Sequence, residues 1–128
     1  MTTVACVQMA SGLNVGANLL EAERLISMAV DKGARLIVLP ENFAFMGKEE
    51  TDRIAVREGD DGGPLQDFLS HQAKKQGIWL VGGTVPMAAQ ANNKIRAACL
   101  LYDDQGKRAA RYDKIHLFDV SLVDSNES

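Results

Sequence analysis

The chain has 128 residues, 46% of them hydrophobic and 24% charged, and a formal net charge of −3. One domain is expected, able to bury about two thirds of its unfolded surface. Slight acidity and scattered lysines and arginines, with no basic stripe, argue against nucleic acid as the main partner. No apolar run approaches the roughly 18 residues that a membrane span needs. The N-terminus has no basic segment followed by an apolar core, so no signal peptide is expected. Cys6 and Cys99 lack the spacing of a disulfide scaffold, which fits a reducing cytoplasm, and both read as buried, inert thiols.

In chain order, residues 3 to 9 read as a short strand. Asn14 is positioned to cap a helix running to about Lys32, with Gly33 as its stop. Its apolar face is Val15, Leu19, Ala22, Ile26, Ala29 and Val30, while Glu21, Arg24 and Asp31 stay wet. Ala34 to Leu39 form a second strand, and two strands flanking a helix predict a parallel βαβ unit. Residues 44 to 62 are less regular. Lys48 to Arg53 read as a solvated helical face, and Asp60-Asp61-Gly62-Gly63 as a loop into a helix with Pro64 at its first position. The two aspartates lack further spaced ligands, so no metal is expected. The second helix runs to Gln76, with Leu65, Phe68, Leu69, Gln72 and Ala73 facing inward and His71 outward. Gly77 ends it. A strand then begins at Ile78-Trp79-Leu80-Val81, where Gly82 and Gly83 permit close backbone approach. No phosphate-binding glycine pattern or nucleophile-elbow serine is present. Ile95 to Tyr102 and Lys107 to Tyr112, joined by Asp103-Asp104-Gln105-Gly106, predict an antiparallel hairpin.

The segment carrying most chemical information is Leu36-Ile37-Val38-Leu39-Pro40-Glu41-Asn42-Phe43. A doubly buried strand is stopped by proline, and a carboxylate follows at the strand's carboxyl end, where open α/β sheets bind ligands. An apolar setting would disfavour the charged form of Glu41 and suit it to proton transfer near neutral pH. Glu41 equally reads as a loop cap or the partner of a base. Phe43, Phe45 and Met46 read either as the apolar walls of a substrate pocket or as core.

A second strand end, Arg111-Tyr112-Asp113-Lys114-Ile115-His116-Leu117-Phe118-Asp119-Val120, carries a lysine. His116 points the same way as Lys114 in an extended segment and could orient it. Together the two segments resemble the nitrilase, or carbon–nitrogen hydrolase, superfamily, and Gly77 to Thr84 is similar to that family's third-strand region. The resemblance runs from Val4 to about Val120. Leu-Pro-Glu-Asn-Phe-Ala-Phe-Met and His-Leu-Phe-Asp-Val look most like the ω-amidase and deaminated-glutathione-amidase members.

The resemblance implies an α/β fold, the N-terminal part of a four-layer α-β-β-α sandwich, with residues 1 to 128 ending before the family's nucleophilic cysteine. It implies hydrolysis of a small-molecule amide to acid plus ammonia by a Glu-Lys-Cys triad, with no cofactor. Glu41 would be the general base and Lys114 the cation facing the oxyanion. Glu127, in Glu127-Ser128, resembles a further family glutamate that positions substrate and water, and reads otherwise as part of a polar tail. Phe43, Phe45 and Met46 would contribute to substrate binding. A homodimer or higher homo-oligomer is implied, and this portion alone is expected to be inactive. The alternative is a non-catalytic α/β module that binds a partner. Either way the chain is expected to expose an apolar sheet face and to self-associate.

Overall fold

A computed structural model describes residues 2–89 and 94–114. His116 and Glu127 lie outside the described residues. Five strands form one sheet in sequence order: β1 (Thr3–Cys6), β2 (Ala34–Val38), β3 (Trp79–Ala88), β4 (Ile95–Tyr102) and β5 (Arg108–Asp113). The first three are mutually parallel, and β4 and β5 return antiparallel. Helix α1 (Val15–Asp31) connects β1 to β2, and α2 (Pro64–Gln76) follows a 3-10 helix (Glu50–Val56) before β3. The βαβ unit and the hairpin expected from the sequence are both present. Strand ends shift by a few residues, because proline at 40 and the capping groups decide where pairing stops.

The helix boundaries follow local chemistry. The Asn14 side chain accepts from the Ala17 amide at 2.9 Å, and Gly33, at φ +92°, turns the chain out of α1. Gly77, at φ +66°, does the same for α2, after which the Ile78 amide reaches back to the Ala73 carbonyl. Glycine, lacking a Cβ, adopts such positive φ angles more readily than any other residue.

Topology places the helices. Both crossovers advance the sheet in the same direction, and right-handed crossovers then put both helices on the same face. They touch through Glu23, which accepts from Gln72 and Lys75, and through Gln76 and Ser27. Beneath them lies the core: Ala22 and Ile26 from α1, Leu65, Leu69 and Ala73 from α2, and Ile37, Leu80, Ala98, Leu100 and Tyr102 from the sheet. Gly82 sits directly under Leu69, where an added Cβ would stand 2.6 Å from a Leu69 methyl.

The opposite sheet face has no covering layer among the described residues. In register across it run Val4 and Cys6, Leu36 and Val38, Trp79 and Val81, Leu101 and Cys99, then Ala110 and Tyr112. Val4, Trp79 and Tyr112 remain 53%, 42% and 58% exposed. Cys6 is exposed and Cys99 half-buried. The expectation of two buried thiols therefore fails for Cys6, because strand alternation turns it to the uncovered face.

The start of α2 depends on a residue the sequence did not single out. Gly63 has no side chain to cap with, so Glu58 does so from five residues earlier. Its carboxylate accepts from the Leu65 amide at 2.6 Å, the Gln66 amide at 3.1 Å and the Gln66 side chain at 3.0 Å. Glu58 is 6% exposed, and its own backbone pairs with the end of β3 through Pro86 and Ala88. A carboxylate at a helix N-terminus satisfies orphan amides and complements the helix dipole. Glu58→Ala should lower the unfolding free energy by about 2–4 kcal/mol, with Glu58→Gln falling between it and wild type. Urea unfolding checks this, and an unchanged midpoint for the alanine variant would contradict the capping role.

Candidate active site

The site grows from the carboxyl end of β2. The Leu39 amide still bonds to the Val81 carbonyl at 2.9 Å, and Pro40, lacking an amide hydrogen, cannot extend the ladder. At that point the chain lies flat on β3. A Cβ added to Gly83 would stand 2.2 Å from both the Leu39 and Pro40 carbonyl oxygens. The close approach expected of the paired glycines is present, and Gly83 is where it happens. Asn42 then adopts φ +54°, a left-handed conformation among non-glycine residues tolerated best by Asn and Asp. Its amide donates to the buried Thr84 hydroxyl at 2.8 Å.

The loop after Glu41 is pinned from the β1–α1 connection. Ser11 Oγ donates to the Phe43 carbonyl at 2.7 Å, and the Met46 amide donates to the Gly12 carbonyl at 2.9 Å. Asn18, buried within α1, donates to the carbonyls of both Gly12 and Ala44 at 2.8 Å and accepts from the Gly12 amide. Asn18 escaped the sequence reading because an amide side chain on a helix carries no tertiary address.

Lys114 arrives from the other end of the molecule. Its amide donates to the Ala97 carbonyl at 2.9 Å as β5 ends, and its ammonium forms an ion pair and hydrogen bond with Glu41 Oε2. Two arginines anchor β5. Arg111 bonds Asp113 and Asp60, each at 2.7 Å, and Arg108 reaches Asp60 at 2.8 Å. The two guanidiniums, Arg108 first, hold the Asp60 carboxyl below the usual aspartate range. Asp113 and then Asp60 raise Arg111. Asp60 is thus an ion-pair partner for the strand that presents Lys114.

Glu41 and Lys114 line one cavity of about 380 Å³, with Asn42, Phe45, Met46, Gly47, Lys48, Glu49, Arg53, Thr84 and Ala97. Of the three apolar candidates, Phe45 and Met46 are on its wall. Phe43 is not. It is fully buried and packs on Phe68 with ring centroids 6.3 Å apart, so its core reading holds. The expectation that Lys48 to Arg53 form only a solvated face is also corrected. Asp52 accepts from the Lys48 and Glu49 amides at 3.0 Å and folds this segment over the cavity rim. Nor is Glu41 in an apolar setting, since its side chain is 58% exposed. No three His, Cys, Asp or Glu side chains converge as a metal site among the described residues. No helix there is long and apolar enough to cross a membrane.

The carbon-nitrogen hydrolase family profile matches residues 3–127. The chain belongs to that family. It is 39% identical over 124 residues to a deaminated glutathione amidase of Synechocystis sp. (strain PCC 6803 / GT-S), covering 95% of this chain and 44% of the relative. To the deaminated glutathione amidase of Yersinia enterocolitica it is 36% identical over 122 residues, covering 94% and 42% respectively. In structure it resembles the C. elegans NitFhit protein at TM-score 0.82 and 26% identity, over 99% of this chain and 32% of that one. Saccharomyces cerevisiae Nit3, of branch 10 of the nitrilase superfamily, matches at TM-score 0.76 and 31% identity, over 88% and 44%. The nitrilase-type α/β fold expected from the two motifs is therefore the one observed. The chain spans less than half the length of these relatives.

Neither cysteine lines the Glu41–Lys114 cavity. Burial pushes the Cys99 thiol up, which depletes thiolate at neutral pH. Cys6 instead lines a separate groove with Val4, Leu25 and Met28. With a chromogenic disulfide at pH 8, the chain should therefore show one fast thiol and one slow thiol. Cys6→Ser should remove the fast phase, and a fast phase surviving that substitution would overturn the assignment.

Proposed function

We propose that this chain supplies two of the three reacting groups of an amidase, Glu41 and Lys114, with the nucleophilic cysteine contributed by polypeptide beyond residue 128. The observation that carries this reading is the ion pair itself, which joins residues 73 apart in sequence at one cavity. In the reaction, the cysteine thiol attacks the amide carbon while Glu41 takes its proton. The negative charge moves to the amide oxygen, where the Lys114 ammonium donates to it. Collapse of the intermediate expels ammonia, which receives the proton from Glu41 and leaves a thioester. Water, deprotonated by Glu41, then cleaves the thioester to the acid and regenerates the thiol.

Phe45 and Met46 form apolar wall for the substrate's acyl part. The substrate is a small-molecule amide, and deaminated glutathione is the first compound to test, since two of the relatives are deaminated glutathione amidases. Glu127 is proposed as a further positioning carboxylate, and the working protein as a cytoplasmic homo-oligomer acting without a cofactor.

The test uses the polypeptide as its source organism makes it. Ammonia release should require a cysteine downstream of Lys114. Glu41→Gln should lower kcat by about 10²–10⁴ and prevent acylation of that cysteine. An undiminished ammonia burst from this variant would refute the general-base role. Lys114→Ala should slow every amide by a similar factor, about 10²–10³. A loss restricted to anionic amides would make Lys114 a substrate-binding residue instead.

A second reading, a non-catalytic module, is favoured by one observation, the exposed apolar sheet face carrying Val4, Trp79 and Tyr112. Both readings expect residues 1–128 alone to self-associate, because burying that face removes apolar surface from water. Sedimentation should show species larger than a monomer, with Trp79 emission shifting to the blue as concentration rises. A monodisperse monomer with concentration-independent emission would contradict the expectation. The two readings separate on ammonia release by the native polypeptide.

A further inference from the structure

We infer that Thr84 is a positioning residue for Glu41, and that the β-bulge at Gly83–Thr84 exists to aim it. The inference deepens the amidase reading and rests on it for its kinetic part only. Between the pairs Gly82↔Leu100 and Val85↔Ala98, β3 advances three residues while β4 advances two. One extra residue on β3 is thereby accommodated opposite Cys99. A bulge re-aims the side chains within it, and such irregularities concentrate beside functional sites.

The two bulged residues act on the same turn in different ways. Gly83 presents bare backbone to the Leu39 and Pro40 carbonyls, at a distance no Cβ would allow. Thr84 presents its hydroxyl to the Asn42 amide at 2.8 Å. That amide belongs to the residue following Glu41, and its φ of +54° is a conformation that costs an L-residue energy unless its surroundings hold it. The Asn42 carbonyl meanwhile accepts from the Phe45 amide at 3.3 Å. Asn42 is thus held at both its amide and its carbonyl, and the direction of the Glu41 side chain follows from that of the turn.

Thr84 is 6% exposed and shares the cavity with Glu41 and Lys114. A hydroxyl accepting one bond in such a place is a fixed reference point, because the residues on either side of the bulge, Gly82 and Val85, are paired to Leu100 and Ala98 of β4. Without the acceptor, the Asn42 amide loses its partner and the turn relaxes toward ordinary negative φ. Glu41 then swings away from Lys114. The geometry needs an oxygen at this position, and serine supplies one as threonine does.

The experiment compares wild type, Thr84→Val and Thr84→Ser. Valine keeps the branched shape and removes the acceptor, whereas serine keeps the acceptor. In labelled 128-residue chain, Thr84→Val should speed Asn42 amide exchange about tenfold relative to the Leu80 amide, which serves as the control for global destabilisation. It should also abolish cross-relaxation between Glu41 Hγ and Lys114 Hε protons. Serine should restore both. In the native polypeptide, Thr84→Val should lower kcat about 5- to 10-fold with KM little changed, and serine should recover most of the loss.

Unchanged Asn42 exchange in the valine variant would overturn the bond. Faster exchange with the Glu41–Lys114 cross-peak intact would overturn the positioning role. If wild-type native polypeptide releases no ammonia, the amidase reading falls, and the exchange and cross-relaxation results still decide for or against Thr84. If valine prevents folding, Thr84→Ala, which also removes the acceptor, is read by the same two measurements.

Discussion

The contact on which the site depends is the seating of the Leu39 and Pro40 carbonyls against Gly83. Parallel pairing of β2 with β3 brings the two strand ends side by side, but pairing alone would leave the chain free to leave the sheet at any angle. The missing Cβ lets the backbone lie flat, and proline forbids a further ladder bond. The residue after the stop is then delivered to the sheet's carboxyl edge with little freedom. That residue is Glu41. Its neighbour Asn42 is locked by Thr84, and the loop beyond is tied to the β1–α1 connection by Ser11, Gly12 and Asn18.

Lys114 reaches the same edge by a different physical route. β5 is an edge strand of the described sheet, so backbone pairing holds it from one side only. Side-chain charge supplies the remaining hold, through Arg108 and Arg111 on Asp60. Asp60 stands four residues before α2 begins, two residues on from Glu58, the buried carboxylate that caps that helix. The short segment from Glu58 to Asp60 thus fixes both the helix over the core and the strand that carries the lysine. Exposed pairs such as these contribute little individually to stability. Their value here is orientation.

Several elements were legible without any structure. Asn14, Gly33, Pro64 and Gly77 mark helix ends by side-chain capping, ring constraint or positive φ, and each acts where the sequence places it. Apolar periodicity gives the helix faces, with Asn18 and Gln66 as the polar residues it could not foresee among buried positions. The motif around Glu41 and the one around Lys114 reveal the family, but not the environment of either charge. Glu41 was expected in an apolar setting and is largely exposed. Phe43, two residues from cavity-lining Glu41 on one side and Phe45 on the other, turns fully into the core. Cys6 alternates outward from a strand whose other face is covered.

The sequence by itself determined the local states and the family, because capping, turn formation and strand stops are decided by residues within a few positions of each other. Tertiary structure alone decided the pairing of Glu41 with Lys114, the capture of Asn42 by Thr84 and the capping of α2 by Glu58. It also decided which side of the sheet stays open, since both helices pack on the same face. These depend on distances between residues remote in the chain. Such distances follow from strand order and packing, which no residue's immediate neighbours encode.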